Sequence, residues 1–250
     1  MFTISPLSPG LHTAPDTSII ITSNLIPTHP DVKMINDTIQ SLDLIEGLHP
    51  ASPIFITVDF PKERKDATPE NLQRLQSYVE NLHHARKDSW GKHPVTILNS
   101  YTHKHISNTV RWAVDRVDTE FLYYVQHDFR FVKYVNDTAL VQSFRQSPDE
   151  IRMVRFGKRK NYGRPFCGKS IASNGLTLSL TKWSDNNHFT TKKHYDEILD
   201  QLGMVSRPLE GPMMNAQGRD VNCTDKLRYQ WLYNHDGPYI EHLDGRLSQN

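Results

Sequence analysis

Short, uninterrupted apolar runs alternate along the first half of the chain with longer stretches whose apolar positions recur every three or four residues. Ser18-Ile19-Ile20-Ile21-Thr22, Ile54-Phe55-Ile56-Thr57-Val58, Val95-Thr96-Ile97-Leu98 and Phe121-Leu122-Tyr123-Tyr124-Val125 are the runs. Their length and β-branched or aromatic content predict strands buried on both faces. Between them, Val32, Ile35, Ile39 and Leu42 keep helical spacing behind a capping Asp31. Thr68-Pro69-Glu70 opens a second helix, expected to reach about His84. Ile106, Val110, Ala113, Val114 and Val117 share one face of a third. Strands alternating with helices at these lengths imply right-handed βαβ units and a largely parallel sheet.

The pattern is less regular beyond Asp128. Asn136–Arg145 reads as a helix, Ile151–Phe156 and Leu176–Leu180 as strands, Thr190–Leu202 as a helix, and Tyr239–His242 as a closing segment. The expected architecture is α/β, with a single Rossmann-like, mostly parallel sheet flanked by helices. It follows an irregular Pro-, Ser- and Thr-rich leader over residues 1–17. Residues 18–250 form one domain, with a first half (18–132) that carries the regular units and a second half (133–250) that does not.

In open α/β sheets ligands bind beyond the carboxyl ends of the strands. Those ends carry Thr22, Ser23 and Asn24; Asp59; Asn99 and Ser100; and Gln126, His127 and Asp128. A carboxylate such as Asp128, directly after an apolar strand, suits Mg²⁺ or Mn²⁺, hard cations that prefer oxygen ligands. A turn-capping role explains the same residue equally well.

The order of these elements resembles the GT-A glycosyltransferases, family 2-like, over roughly Ser18 to Arg246. Ile19–Leu42 is similar to their opening strand, loop and helix, and Asn108 matches an Asn position in the helix before the fourth strand. Gln126-His127-Asp128 falls where that family carries Asp-x-Asp, with Gln in place of the first Asp. The resemblance implies transfer of a sugar from a UDP- or GDP-sugar to a glycan or other hydroxyl acceptor, metal-assisted and inverting. It places Mn²⁺ or Mg²⁺ at Asp128 and His242, the latter within Tyr239-Ile240-Glu241-His242-Leu243-Asp244-Gly245-Arg246. It puts the donor on Thr22, Ser23, Asn24, Asp59, Asn99, Asn108, Gln126 and His127. Glu210, in Glu210-Gly211-Pro212-Met213-Met214, stands where related enzymes carry their catalytic base, and Asp185 is the second candidate.

Trp183-Ser184-Asp185-Asn186-Asn187-His188 is the other dense polar cluster. Either Ser184 or Asp185 caps the helix near Thr190, or Trp183 stacks on an acceptor sugar. The basic stretch Arg155–Arg164 is a solvated loop, or else it covers the donor diphosphate or recruits an anionic acceptor. No P-loop and no Gly-x-Gly-x-x-Gly is present, which disfavours an NTPase or a Rossmann dehydrogenase. Ser23–Pro30 lacks Gly, which disfavours a sugar nucleotidyltransferase. Gln126 keeps open a non-catalytic carbohydrate- or nucleotide-binding domain.

Composition narrows this further. With 29 Lys and Arg against 28 Asp and Glu, the net charge is +1, which gives no surplus for a dedicated nucleic-acid binder. The N-terminus lacks the basic and apolar regions of a signal peptide, and no apolar run approaches a bilayer span. The two cysteines, Cys167 and Cys223, allow one disulfide between them, but free thiols in a reducing, cytoplasmic setting are the expectation.

Overall fold

The computed structural model describes residues 14–26, 28–62, 67–91, 93–160, 163–202, 213, 223, 229–234 and 236–243. In chain order, β1 (Thr17–Ser23) leads to α1 (Lys33–Gln40), a 3-10 turn at Ser41–Leu44, β2 (Ile45–Glu46) and β3 (Ile54–Val58). Then come α2 (Pro69–Asp88), β4 (Val95–Asn99), α3 (His105–Val114), β5 (Phe121–Gln126), β6 (Phe129–Phe131), β7 (Val135–Asn136) and α4 (Asp137–Gln146). The second half holds β8 (Met153–Arg155), β9 (Ser170–Ser173), β10 (Leu176–Thr181), β11 (His188–Thr191), α5 (Lys192–Leu202), β12 (Gln230–Tyr233) and β13 (Ile240–His242).

Nine strands make one sheet in the order β4-β3-β1-β5-β11-β8-β12-β10-β9. The first four are parallel, with Ile20 level with Phe55 on one side and Tyr124 on the other. β11 then runs antiparallel to both β5 and β8, β12 is parallel to β8, and β10 and β9 are antiparallel. The parallel expectation therefore holds for the first half, while the second half is mixed.

Every residue of β1 is buried, and alternate residues serve opposite faces of the sheet, as a two-residue period demands. Ile19 and Ile21 join the cluster that holds Leu75, Tyr78 and Leu82 of α2 and Leu140 and Phe144 of α4. Ile20 joins Val110, Ala113 and Val114 of α3 with Ile198 and Leu199 of α5. The result is a helix–sheet–helix sandwich. Met213 is buried in the second cluster.

Several local expectations need correction. Thr68 caps α2 as expected, accepting from the Asn71 amide at 3.2 Å, whereas the cap position of α1 is Val32, and Asp31 accepts from the Lys33 amide at 2.7 Å one residue ahead of it. The second helix runs on to Asp88, and the strand expected over Ile151–Phe156 is limited to Met153–Arg155. Thr190 and Thr191 belong to β11 rather than to a helix. The hydroxyl that caps α5 is that of Thr191, which accepts from the His194 amide at 3.1 Å, so neither Ser184 nor Asp185 is the cap. Cys167 and Cys223 are joined in a disulfide, with Cα atoms 6.6 Å apart. The free-thiol reading is thereby overturned, and the cytoplasmic expectation loses that support. Among the described residues, no helix is long and apolar enough to cross a membrane.

Candidate functional site

A cleft of about 340 Å³ opens at the carboxyl ends of β1, β3 and β5 and is walled by the first turn of α3. β1 contributes Thr22 and Ser23, Asn24 follows it, Asp59 follows β3, and Gln126, His127 and Asp128 lie at the end of β5. These seven residues are brought together as their positions in the chain imply. Asn99 and Asn108 are not among the lining residues. The Asn108 side chain is displaced around α3 from Ile106 and Thr109, which do line the cleft.

Several of the lining side chains are already committed to partners. Ser23 Oγ is 3.0 Å from the Tyr78 hydroxyl. Asp59 Oδ1 accepts from the amides of Phe60 and Lys104, both at 2.9 Å, so this carboxylate pins the chain entering α3 to the end of β3. Its Oδ2 lies 3.2 Å from His103 Nδ1. That nitrogen donates to the Phe60 carbonyl at 2.7 Å, which leaves His103 Nε2 facing His105 Nδ1 at 3.2 Å. His105 holds φ at 62°, a left-handed conformation that costs a non-glycine residue about 1–2 kcal/mol. Burial and the neighbouring His103 lower the His105 pKa. The Asp59–His103–His105 chain was not legible in the sequence, because only the turned loop brings its members into line.

His127 is buried, and burial holds its pKa below the usual histidine value. Its Nδ1 donates to the Thr22 carbonyl at 3.1 Å, which fixes the tautomer and leaves Nε2 as a lone-pair acceptor. That Nε2 is buried without a hydrogen-bond partner. A ligand hydroxyl or N–H entering the cleft would satisfy it.

Asp128 and His242 meet through strand pairing. β6 follows Asp128 directly and pairs antiparallel with β13, opposing Phe129 to His242. His242 Nε2 donates to Asp128 Oδ2 at 3.0 Å, while Asp128 Oδ1 is buried without a hydrogen-bond partner. A carboxylate oxygen with no donor beside an imidazole is the ligand chemistry a divalent ion takes, so these residues fit the implied Mn²⁺ or Mg²⁺. Among the described residues, no group of three or more such side chains surrounds one point.

Gln126 donates from Nε2 to the Asp185 carbonyl at 2.6 Å, and its own amide N–H donates to Asn187 Oδ1 at 3.1 Å. The polar cluster after β10 is thus tied to the end of β5 from behind. Trp183 is not a sugar-stacking wall: it is 2% exposed, packs in the apolar core and donates from Nε1 to Asp185 Oδ1 at 3.0 Å. Asp185 enters the site through Gln126 and does not line the cleft. Glu210 lies outside the described residues.

No family model and no curated protein matches this sequence. Solved structures do match. TarS of S. aureus gives a TM-score of 0.53 at 9% identity, covering 91% of this chain and 36% of that one. TarS 1–349 in complex with UDP gives 0.52 at 10% identity, covering 90% of this chain and 60% of that one. The fold is GT-A-like. At these identities the likeness concerns the fold, and the chain spans less than two thirds of either TarS chain. In the GT-A-like frame, the cleft occupies the end of the parallel half, and the β6–β13 ribbon carries His242 to its edge.

Proposed function

We propose that this chain is a glycosyltransferase that moves a sugar from a nucleoside-diphosphate sugar to a hydroxyl acceptor with divalent-metal assistance. The observation that carries the reading is the strand-end cleft in which Asp128 keeps one buried oxygen unpartnered beside His242. The UDP bound to TarS 1–349 supports a uridine or related nucleotide as ligand.

In this reading Asp128 and His242 hold the ion, which when bound stabilises negative charge on the departing diphosphate as a Lewis acid. Thr22, Asn24 and His127 Nε2 receive the nucleoside. Asp59 acts chiefly by holding the loop that presents His103 and His105 to the same space. Glu210 is the proposed base for inversion, on its place in the chain order alone. Asp185 is second, since its carboxylate is engaged with Trp183. The reaction is set in the cytoplasm as a proposal from the sequence alone.

A non-catalytic nucleotide-binding domain is the second reading. Gln126 favours it, because its amide is used to hold the Asp185 carbonyl and supplies no second carboxylate. Thermal-shift titration with UDP and GDP, with and without Mn²⁺, tests binding, because a ligand of the native state alone raises the melting point. Asp128→Asn should remove the Mn²⁺-dependent part of that shift. A shift that survives the substitution would take the metal away from Asp128. Mn²⁺-dependent binding with no donor hydrolysis or transfer would favour the second reading.

A further inference from the structure

Charge is distributed unevenly along this near-neutral chain. From Ile151 to Ser184 there are eight Lys or Arg and no Asp or Glu, which leaves 21 basic and 28 acidic residues elsewhere. Two of the eight are not exposed. Arg152 pairs with Glu197 at 3.1 Å, and buried Arg155 donates to Thr181 Oγ1 at 2.9 Å. The other six, Lys158, Arg159, Lys160, Arg164, Lys169 and Lys182, are exposed, and Lys169 also donates from Nζ to the Cys223 carbonyl at 3.3 Å.

Two of these cations, Arg164 and Lys182, line a built feature. A groove of about 240 Å³ runs between Arg164 at one wall and Lys182 at another, over Pro165, Leu180 and Leu232. The segment approaches the cleft from both of its ends. Lys158 Nζ lies 5.6 Å from the Phe129 ring, which lies 4.6 Å from the imidazole of His242, the partner of Asp128. Lys182 precedes by three residues Asp185, whose carbonyl holds Gln126. At about 3.6 Å per residue that is a reach of roughly 11 Å. The basic face and the cleft therefore adjoin.

A single phosphate group needs one or two of these cations, whereas six of one sign spread over two connections, β8–β9 and β10–β11, suit a ligand with repeated negative charge. We propose that this groove binds an anionic glycan, a hydroxyl-bearing polymer with repeated phosphate, sulfate or carboxylate groups, and directs it toward the cleft. The proposal rests on the glycosyl-transfer reading for its choice of polymer. A single-stranded nucleic acid would need aromatic platforms. The groove's own ring, Phe166, is instead engaged by Lys182 at 5.3 Å and Tyr229 at 5.6 Å. A membrane surface would need apolar side chains for insertion. Among the described residues, the exposed large apolar side chains are Tyr101, Val132 and Tyr134, none of them in this segment.

Calorimetry with dextran sulfate and neutral dextran tests the proposal without donor or metal. Dextran sulfate should bind, neutral dextran should not, and affinity should fall as salt rises, since screening and counterion competition weaken such contacts. Arg164→Gln with Lys182→Gln should weaken binding about tenfold or more. Arg86→Gln with Lys87→Gln, an equal loss of charge at the end of α2, should leave it unchanged. If the Lys182 substitution disturbs folding, Lys160→Gln with Arg164→Gln is the replacement pair, since both side chains are exposed. Absence of binding, equal weakening by both pairs, or equally tight binding of duplex DNA or anionic lipid vesicles would overturn the proposal. UDP binding is measured separately, so failure of the donor reading and failure of the groove are distinct outcomes.

Discussion

Gln126 shows how much one side chain can decide. Its amide reaches backward to the Asp185 carbonyl rather than forward to a metal. Replacement by Asp would restore the acidic pair of the GT-A pattern, but it would also remove a donor and set a carboxylate against a carbonyl oxygen. Gln126→Asp is therefore expected to lower unfolding free energy by about 1–3 kcal/mol, read by urea denaturation. An unchanged midpoint would show that the contact is dispensable. His105 gives the converse case. His105→Gly relieves a left-handed φ of 62° and should raise stability by about 1 kcal/mol while weakening UDP binding. Retained UDP affinity would remove His105 from the donor side. Asp59, His127 and Asp128 were legible in the sequence because a strand end is itself legible. His103 and His105 were not, since their meeting depends on a loop that Asp59 folds. Trp183 was misjudged because residue type alone does not tell an exposed indole from a buried one.

At the scale of elements, what was local was readable. Thr68-Pro69 marks the start of α2 because hydroxyl, proline and free amide all act within four residues. Asn136 does the same for α4, accepting from the Ala139 amide at 2.8 Å while its own amide N–H donates to the Tyr233 hydroxyl at 3.0 Å. Asn136→Ala should cost about 1 kcal/mol. A thermal midpoint equal to that of the parent protein would mean the helix start is held by its packing alone. The start of α5 was misplaced for a physical reason. His188-Phe189-Thr190-Thr191 is too short to reveal a period, and it is a strand only because β5 and β8 lie on either side of it. β12, which pairs with strands far away in sequence, was likewise unreadable.

At the scale of the molecule, three histidines besides His127 are buried where protons are unwelcome. Desolvation lowers the pKa of His29 to about 3, of His188 to about 4 and of His194 to about 3. Their unfolded values lie near 6.5, so as pH falls below that point the unfolded chain takes up protons that the fold refuses. Each group then withdraws up to about 1.4 kcal/mol of stability per pH unit until its folded pKa is reached. Asp137 acts in the opposite direction: burial raises its pKa to about 6, so it favours the fold as pH falls from about 6 toward its unfolded value. One group against three leaves a net loss, and urea denaturation at pH 7 and pH 5 should show lower stability at pH 5. Equal stability at the two would mean that these imidazoles are hydrated in the native state. The division between residues 132 and 133 has a different standing at this scale. β5 pairs with β1 in the first half and with β11 in the second, so it is a seam shared by both. A chain emerging from the ribosome would complete β1, β3, β4 and β5 some sixty residues before β11 arrives. Throughout that interval β5, buried along most of its length in the finished fold, would present a bare row of amides and carbonyls, the template on which strands of other chains add. The two halves are therefore not separable in biogenesis, and a fragment ending near Val132 should be found in the aggregate rather than in solution.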